Sequence, residues 1–147
     1  MSTPTRSKMD VWTVTVQLPA NAPPYSNNIA TIQYADQFGN VVSTNKLQLP
    51  FGFKIKDVVV ASAPIPDCVV IVDKNNGAKQ WQSVPLSQLV IQAGRPRLDP
   101  FGRDALGRRV VPAFSKFEIM TVIVRPLDKV SSDDAVTVTF QLYVEYT

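Results

Sequence analysis

Residues 94–109, GRPRLDPFGRDALGRR, place five arginines (Arg95, Arg97, Arg103, Arg108 and Arg109) against two acids, Asp99 and Asp104. A guanidinium matches carboxylate or phosphate oxygens bidentately, and a glycine-bearing backbone lets a ligand come close. The segment's net charge of +3 equals that of the whole chain, so the basic excess of the molecule sits in one stretch. Only Phe101 in it can stack on a base, and a whole-chain excess of three charges is a weak electrostatic footprint, so nucleic-acid binding is possible but disfavoured. Arginine is also enriched in protein interfaces. A subunit contact is the favoured reading of the segment, with Asp99 and Asp104 as internal partners for part of the arginine set and a solvated loop as the plain alternative. Residues 1–10, MSTPTRSKMD, repeat this chemistry with Arg6 and Lys8 among Ser, Thr and Pro. They read as a flexible arm that orders only against a partner, or else as a frayed terminus.

The chain holds no histidine and a single cysteine, Cys68. Zinc sites of the usual kinds, Ser-His-Asp hydrolysis and Cys-His catalysis are out of reach, so an enzyme is disfavoured and no cofactor is expected. Cys68 opens the apolar run 68–72 and reads as a buried thiol, and a lone cysteine gives no intrachain disulfide. Asp133 and Asp134 are neighbours on a turn, where carboxylates are more often solvated turn formers than an acid and a base. The run DKNNG at 73–77 is only a fragment of a calcium loop. Trp12, Trp81, Tyr25 and Tyr34 can be imagined as a sugar-stacking platform, but aromatics alternating along strands more often fill a core.

The elements that must position these residues are strands. Residues 135–147, AVTVTFQLYVEYT, alternate without a break: Val136, Val138, Phe140, Leu142, Val144 and Tyr146 fall on one side, with Thr, Gln, Tyr143 and Glu145 on the other. Residues 11–18 alternate in the same way, with Trp12, Val14, Val16 and Leu18 inward. Pro19, Pro23 and Pro24 then break the ladder. Residues 29–34 and 41–49 flank DQFGN, whose Gly39 suits a hairpin turn. Residues 54–62 alternate weakly. Residues 68–72 and 117–124 are apolar on both faces, which predicts two strands covered from two sides. Residues 80–84 and 89–92 predict edge strands around Pro85. At 147 residues, 45% hydrophobic and 18% charged, the chain suits one globular domain. Its apolar runs fall far short of the roughly 20 residues a membrane span needs, and no signal-like core follows the first charges, so synthesis in the cytosol is expected.

These features predict an all-β, single-domain antiparallel β-sandwich of about eight strands, jelly-roll-like, over residues 11–147, with a barrel as the alternative closure. The arm, the Val- and Thr-rich strands, the long proline-bearing loops and the terminal strand together resemble the small all-β coat and decoration proteins of viruses and bacteriophages. AVTVTFQLYVEYT, KIKDVVVASA and DCVVIVD carry most of the likeness. The resemblance implies a virion structural protein, a minor capsid or decoration (cement) subunit made in the host cytoplasm. It would assemble with other capsid subunits, often as a homotrimer. Arg6, Lys8, Arg95, Arg97, Arg103, Arg108 and Arg109 are the expected interface residues. The alternative function is a carbohydrate- or receptor-binding β-sandwich module.

Overall fold

Strand β1 (Met9–Leu18) and strand β11 (Val136–Tyr146) are the two long alternating segments, and they pair antiparallel over ten residue positions, from Met9 opposite Glu145 to Leu18 opposite Val136. Trp12, Val14 and Leu18 on one strand and Val138, Phe140, Leu142 and Val144 on the other are all buried, whereas Thr137, Thr139 and Gln141 face outward. The inward sets meet because directly opposed residues in an antiparallel pair share a face. The chain is a computed structural model that describes residues 8–131 and 133–147.

Around this pair the larger sheet is completed by β3 (Thr31–Ala35), β4 (Val41–Thr44), β6 (Phe53–Val59) and β9 (Ala113–Phe114), in the order β4-β3-β1-β11-β6-β9. The second sheet contains β2 (Asn28–Ile29), β10 (Ile119–Pro126), β7 (Cys68–Lys74) and β8 (Lys79–Gln82), in that order. Strand β5 (Leu47–Gln48) also pairs with β10. The named strands pair antiparallel throughout, and the core lies between the two sheets. Phe53 stacks on Phe114 at 4.9 Å between ring centres, and Trp12 meets Phe53 edge-on at 5.0 Å. The fold is an all-β sandwich.

Four local expectations change. Residues 29–34 are two strands in different sheets, with the buried Ala30 at the crossing and its N–H bonded to the Val122 carbonyl. Residues 41–49 divide likewise, into β4 in the larger sheet and β5 beside β10. Residues 89–92 form no strand: Leu86–Leu89 is a 3-10 turn that buries both leucines, and Val90 makes one isolated bridge to Val60. Phe117 lies outside β10, in a turn with φ +64°, and is 57% exposed. Strand β7, predicted to be covered from two sides, buries six of its seven residues. Residues 1–7, including Arg6, lie outside the described residues, and β1 begins at Met9, inside the predicted arm of residues 1–10.

Candidate interface

The arginine segment belongs to an excursion, residues 83–112, that runs from the edge of one sheet to the edge of the other. Leu86, Leu89 and Phe101 are the buried anchors that hold it against the core. The Val84 N–H bonds the Pro100 carbonyl at 2.8 Å, and the Ile55 N–H bonds the Pro112 carbonyl at 2.9 Å, which stitches the excursion to itself and to β6. With only a short 3-10 turn and an isolated bridge between Arg103 and Arg109 of its own, a segment this long needs side chains to satisfy its backbone.

Three of the five arginines, Arg97, Arg103 and Arg109, supply them, and Arg108 pairs with Asp104. Arg97 is a bolt: Nη1 donates to the Leu89 carbonyl at 2.8 Å, Nη2 donates to the Val58 carbonyl at 2.7 Å, and Nη2 lies 3.1 Å from Asp57 Oδ1. Asp99 receives Arg103 Nε at 2.8 Å and Arg109 Nε at 3.2 Å, one on each carboxylate oxygen. Arg109 Nη2 also donates to the Lys56 carbonyl. Asp104 Oδ1 accepts the N–H groups of Leu106 and Arg108, and its other oxygen accepts Arg108 Nε at 3.2 Å. Those bonds favour the ionised form, and the Arg108 backbone N–H above all holds the Asp104 carboxyl below its ordinary range. Gly102 and Gly107 take positive φ where the loop doubles back. Arg95 is exposed, and among the described residues its guanidinium has no ion-pair partner. Lys8 is also exposed, and its carbonyl accepts the Tyr146 N–H at 2.8 Å.

The excursion meets the larger sheet at a patch that sequence reasoning did not assemble. Val11, Tyr143 and Asp57 stand in one row across β1, β11 and β6. Beside that row a cleft of about 280 Å³ is lined by Met9, Lys56, Asp57, Arg97, Leu98, Asp99, Arg109 and Tyr143. Met9, Val11 and Leu98 are each nearly half exposed, and Tyr143 is half-buried. The arrangement is an apolar and aromatic centre with two Arg–Asp pairs on its rim, Arg97–Asp57 and Arg109–Asp99. That is the anatomy of a protein-binding surface, in which Tyr, Met and Arg are enriched and the rim is charged. The signal in the sequence was present but divided between two distant segments. Val11 and Tyr143 break the polar side of otherwise Thr- and Gln-rich strands.

The other candidates disperse or are explained locally. Trp12 is fully buried, Trp81 lies half-buried beneath the ammonium groups of Lys74 and Lys79, and Tyr25 sits at the far end of the sandwich from Tyr34. No common stacking platform results. Asp73 is buried and ties its own turn, accepting the Gly77 N–H at 3.1 Å and Gln80 Nε2 at 2.8 Å. Among the described residues no three His, Cys, Asp or Glu side chains gather as a metal site, and no helix is long and apolar enough to cross a membrane. No protein-family model and no curated protein matches the chain.

Proposed function

We propose that the chain is a virion structural protein, a capsid subunit of the minor or decoration type, that works through contacts with other capsid subunits. The observation that carries this reading is the patch of Met9, Val11, Leu98 and Tyr143, rimmed by arginines that their own aspartates already hold in place. Ordering these rim side chains in advance lowers the entropy lost on association. A single-domain sandwich without a catalytic alphabet suits such a role, and a trimer is the assembly this reading favours. Arg95, with its guanidinium unpaired among the described residues, is the loop's best candidate for an intermolecular ion pair.

Light scattering across a range of concentrations tests the reading. The wild type should form an oligomer or bind assembled shells, and Leu98→Lys should weaken that association about tenfold or more while leaving the melting temperature unchanged. A wild type that stays single-chain and binds no shell overturns it. Glycan binding by the single chain would favour the carbohydrate-binding alternative instead.

A further inference from the structure

The 3-10 turn Leu86–Leu89 and residues 95–98 border a second cleft, of about 320 Å³, which shares Arg97 and Leu98 with the cleft of the Leu98 patch. Both walls are held from behind. Leu86 and Leu89 are fully buried, and the Gln88 N–H closes the turn on the Pro85 carbonyl at 3.0 Å. Asp67, outside the lining, accepts the Ser87 N–H at 3.0 Å and the Ser87 hydroxyl. Arg97 ties the second wall to the first through the Leu89 carbonyl at 2.8 Å. Gly94, at φ +77°, turns the chain so that the Arg95 N–H reaches the Gln92 carbonyl at 3.3 Å.

Arg95 and Arg97 are the only charged residues in this lining. Arg97 is already committed: Nε lies 3.3 Å from Asp57 Oδ2 and Nη2 lies 3.1 Å from Oδ1, and the Leu89 and Val58 carbonyls take further N–H groups. The Arg95 guanidinium is not committed, and among the described residues neither it nor the side-chain amides of Gln88 and Gln92 have a hydrogen-bond partner. On the patch side, Asp99 is shared between Arg103 and Arg109, and Lys56 has no ion pair among the described residues. The two linings together hold four cations, Lys56, Arg95, Arg97 and Arg109, against two carboxylates, Asp57 and Asp99. Val90, Pro96 and Leu98 give the second cleft apolar walls.

We propose that the Arg95 cleft receives a carboxylate side chain from an acidic segment of the subunit that covers the Leu98 patch. The guanidinium takes the carboxylate bidentately, the Gln88 and Gln92 amides donate to its remaining lone pairs, and Val90, Pro96 and Leu98 pack the aliphatic part of the segment. One uncommitted guanidinium matches the single charge of a carboxylate. The lining holds no aromatic ring on which a base could stack, which favours a protein segment over a nucleic acid. The surplus of cations over both clefts steers an acidic partner to this side. This inference rests on the reading that the protein works through subunit contacts, and it names the chemistry of the surface that the patch meets.

A capped peptide alternating leucine and glutamate, acetyl-LELEL-amide, probes the cleft in the full chain by assigned amide NMR spectra. It should move the signals of residues 88, 92 and 95–98 and bind about tenfold or more tightly than its glutamine counterpart, acetyl-LQLQL-amide. Arg95→Gln should remove that preference, and Arg95→Lys, which keeps the charge without the fork, should retain part of it. Thermal unfolding checks that both variants fold. Equal affinity for the two peptides overturns the proposal, as does an Arg95→Gln variant that still prefers glutamate, or signals that move only elsewhere. Tighter binding of inorganic phosphate or a short oligothymidylate at the same residues replaces the carboxylate with a phosphate. In the assembly itself, Arg95→Glu should weaken association about tenfold or more. If Leu98→Lys dissociates the wild-type assembly while Arg95→Glu leaves it intact, the structural reading stands and the Arg95 contact alone falls. If the wild type never assembles yet prefers the glutamate peptide at this cleft, the structural reading falls and the carboxylate site stands.

Discussion

Phe140, 2% exposed at the middle of β11, and Thr139, exposed on the other side of the same strand, differ by one position and a whole environment. Phe140→Ala should cost about 3–5 kcal/mol in denaturant unfolding, and Thr139→Ala about 0.5 kcal/mol or less; equal losses would mean that the inward face is misassigned. Cys68 is buried with its sulfur bonded to the Pro66 carbonyl, and burial, with Asp67 adding to it, pushes its thiol pKa up to about 12. Because the folded-state pKa is raised above the ordinary value of 9.0, the stability that this protonated thiol contributes is complete below pH 9 and is lost as the pH climbs toward 12. Alkylation at pH 8.5 should therefore leave the folded protein unmodified and label it once it is denatured. Glu118 behaves in the opposite sense. The Ser115 N–H above all, then Lys74, hold its carboxyl below the ordinary 4.5, so its contribution is present above that pH and fades as the pH falls further. The stability advantage of the wild type over Glu118→Gln should shrink on acidification below pH 4.5, as read by thermal unfolding.

Strands with one buried face announce themselves, and β1 and β11 were legible from alternation alone because each covers the core from one side. Strand β7 was legible for the opposite reason, being apolar at every position that is buried except Asp73, whose carboxylate serves the turn beyond it. Two-residue strands carry no period at all. β2, β5 and β9 exist only because β10 and β6 offer them hydrogen bonds across the molecule, and nothing local specifies that. The arginine segment was recognisable as unusual, yet its arginines read chiefly as outward contacts, whereas Arg97 and Arg109 fasten the excursion to β6 and Arg103 and Arg108 pair within it. Asp99 and Asp104 were legible as internal partners, and three of the ion pairs go to them, whereas Asp57 and the carbonyls of Val58 and Lys56 were not legible because they lie about 40 to 53 positions away in sequence. Arg97→Ala, which strands the Leu89 and Val58 carbonyls, should cost about 1–3 kcal/mol, whereas Arg95→Ala should cost under about 0.5 kcal/mol. Deleting residues 1–10 should lower the melting temperature, since it removes the Met9 and Asp10 positions of β1 and the bond from the Tyr146 hydroxyl to Asp10 at 2.8 Å. An unchanged melting temperature would make those two positions dispensable.

At the scale of the whole molecule, two apolar surfaces stand out, a side patch around Leu98 and a cleft lined by Tyr34, Phe38, Phe51 and Tyr146. Beyond the patch the outer side of the larger sheet offers Thr13, Thr15, Thr31, Gln33, Thr139 and Gln141, polar and uncharged, which suits a face left to water. The cleft draws its lining from three separate segments, residues 34–38, residues 48–51 and Tyr146, so no single stretch of sequence revealed it. The pairing of β1 with β11 has a kinetic meaning of its own. Ten residue pairs are made between positions 118 to 136 residues apart, and such contacts can form only after a large loop has closed. Refolding should consequently be slow for a domain of this size. Because Lys8 and Tyr146 are hydrogen-bond neighbours, a short turn joining residue 147 to residue 8, with the chain reopened in the exposed residues 61–63, would turn the most remote pairing into a hairpin. Stopped-flow refolding of this permutant should be about tenfold or more faster than that of the natural order, with the native strand register retained.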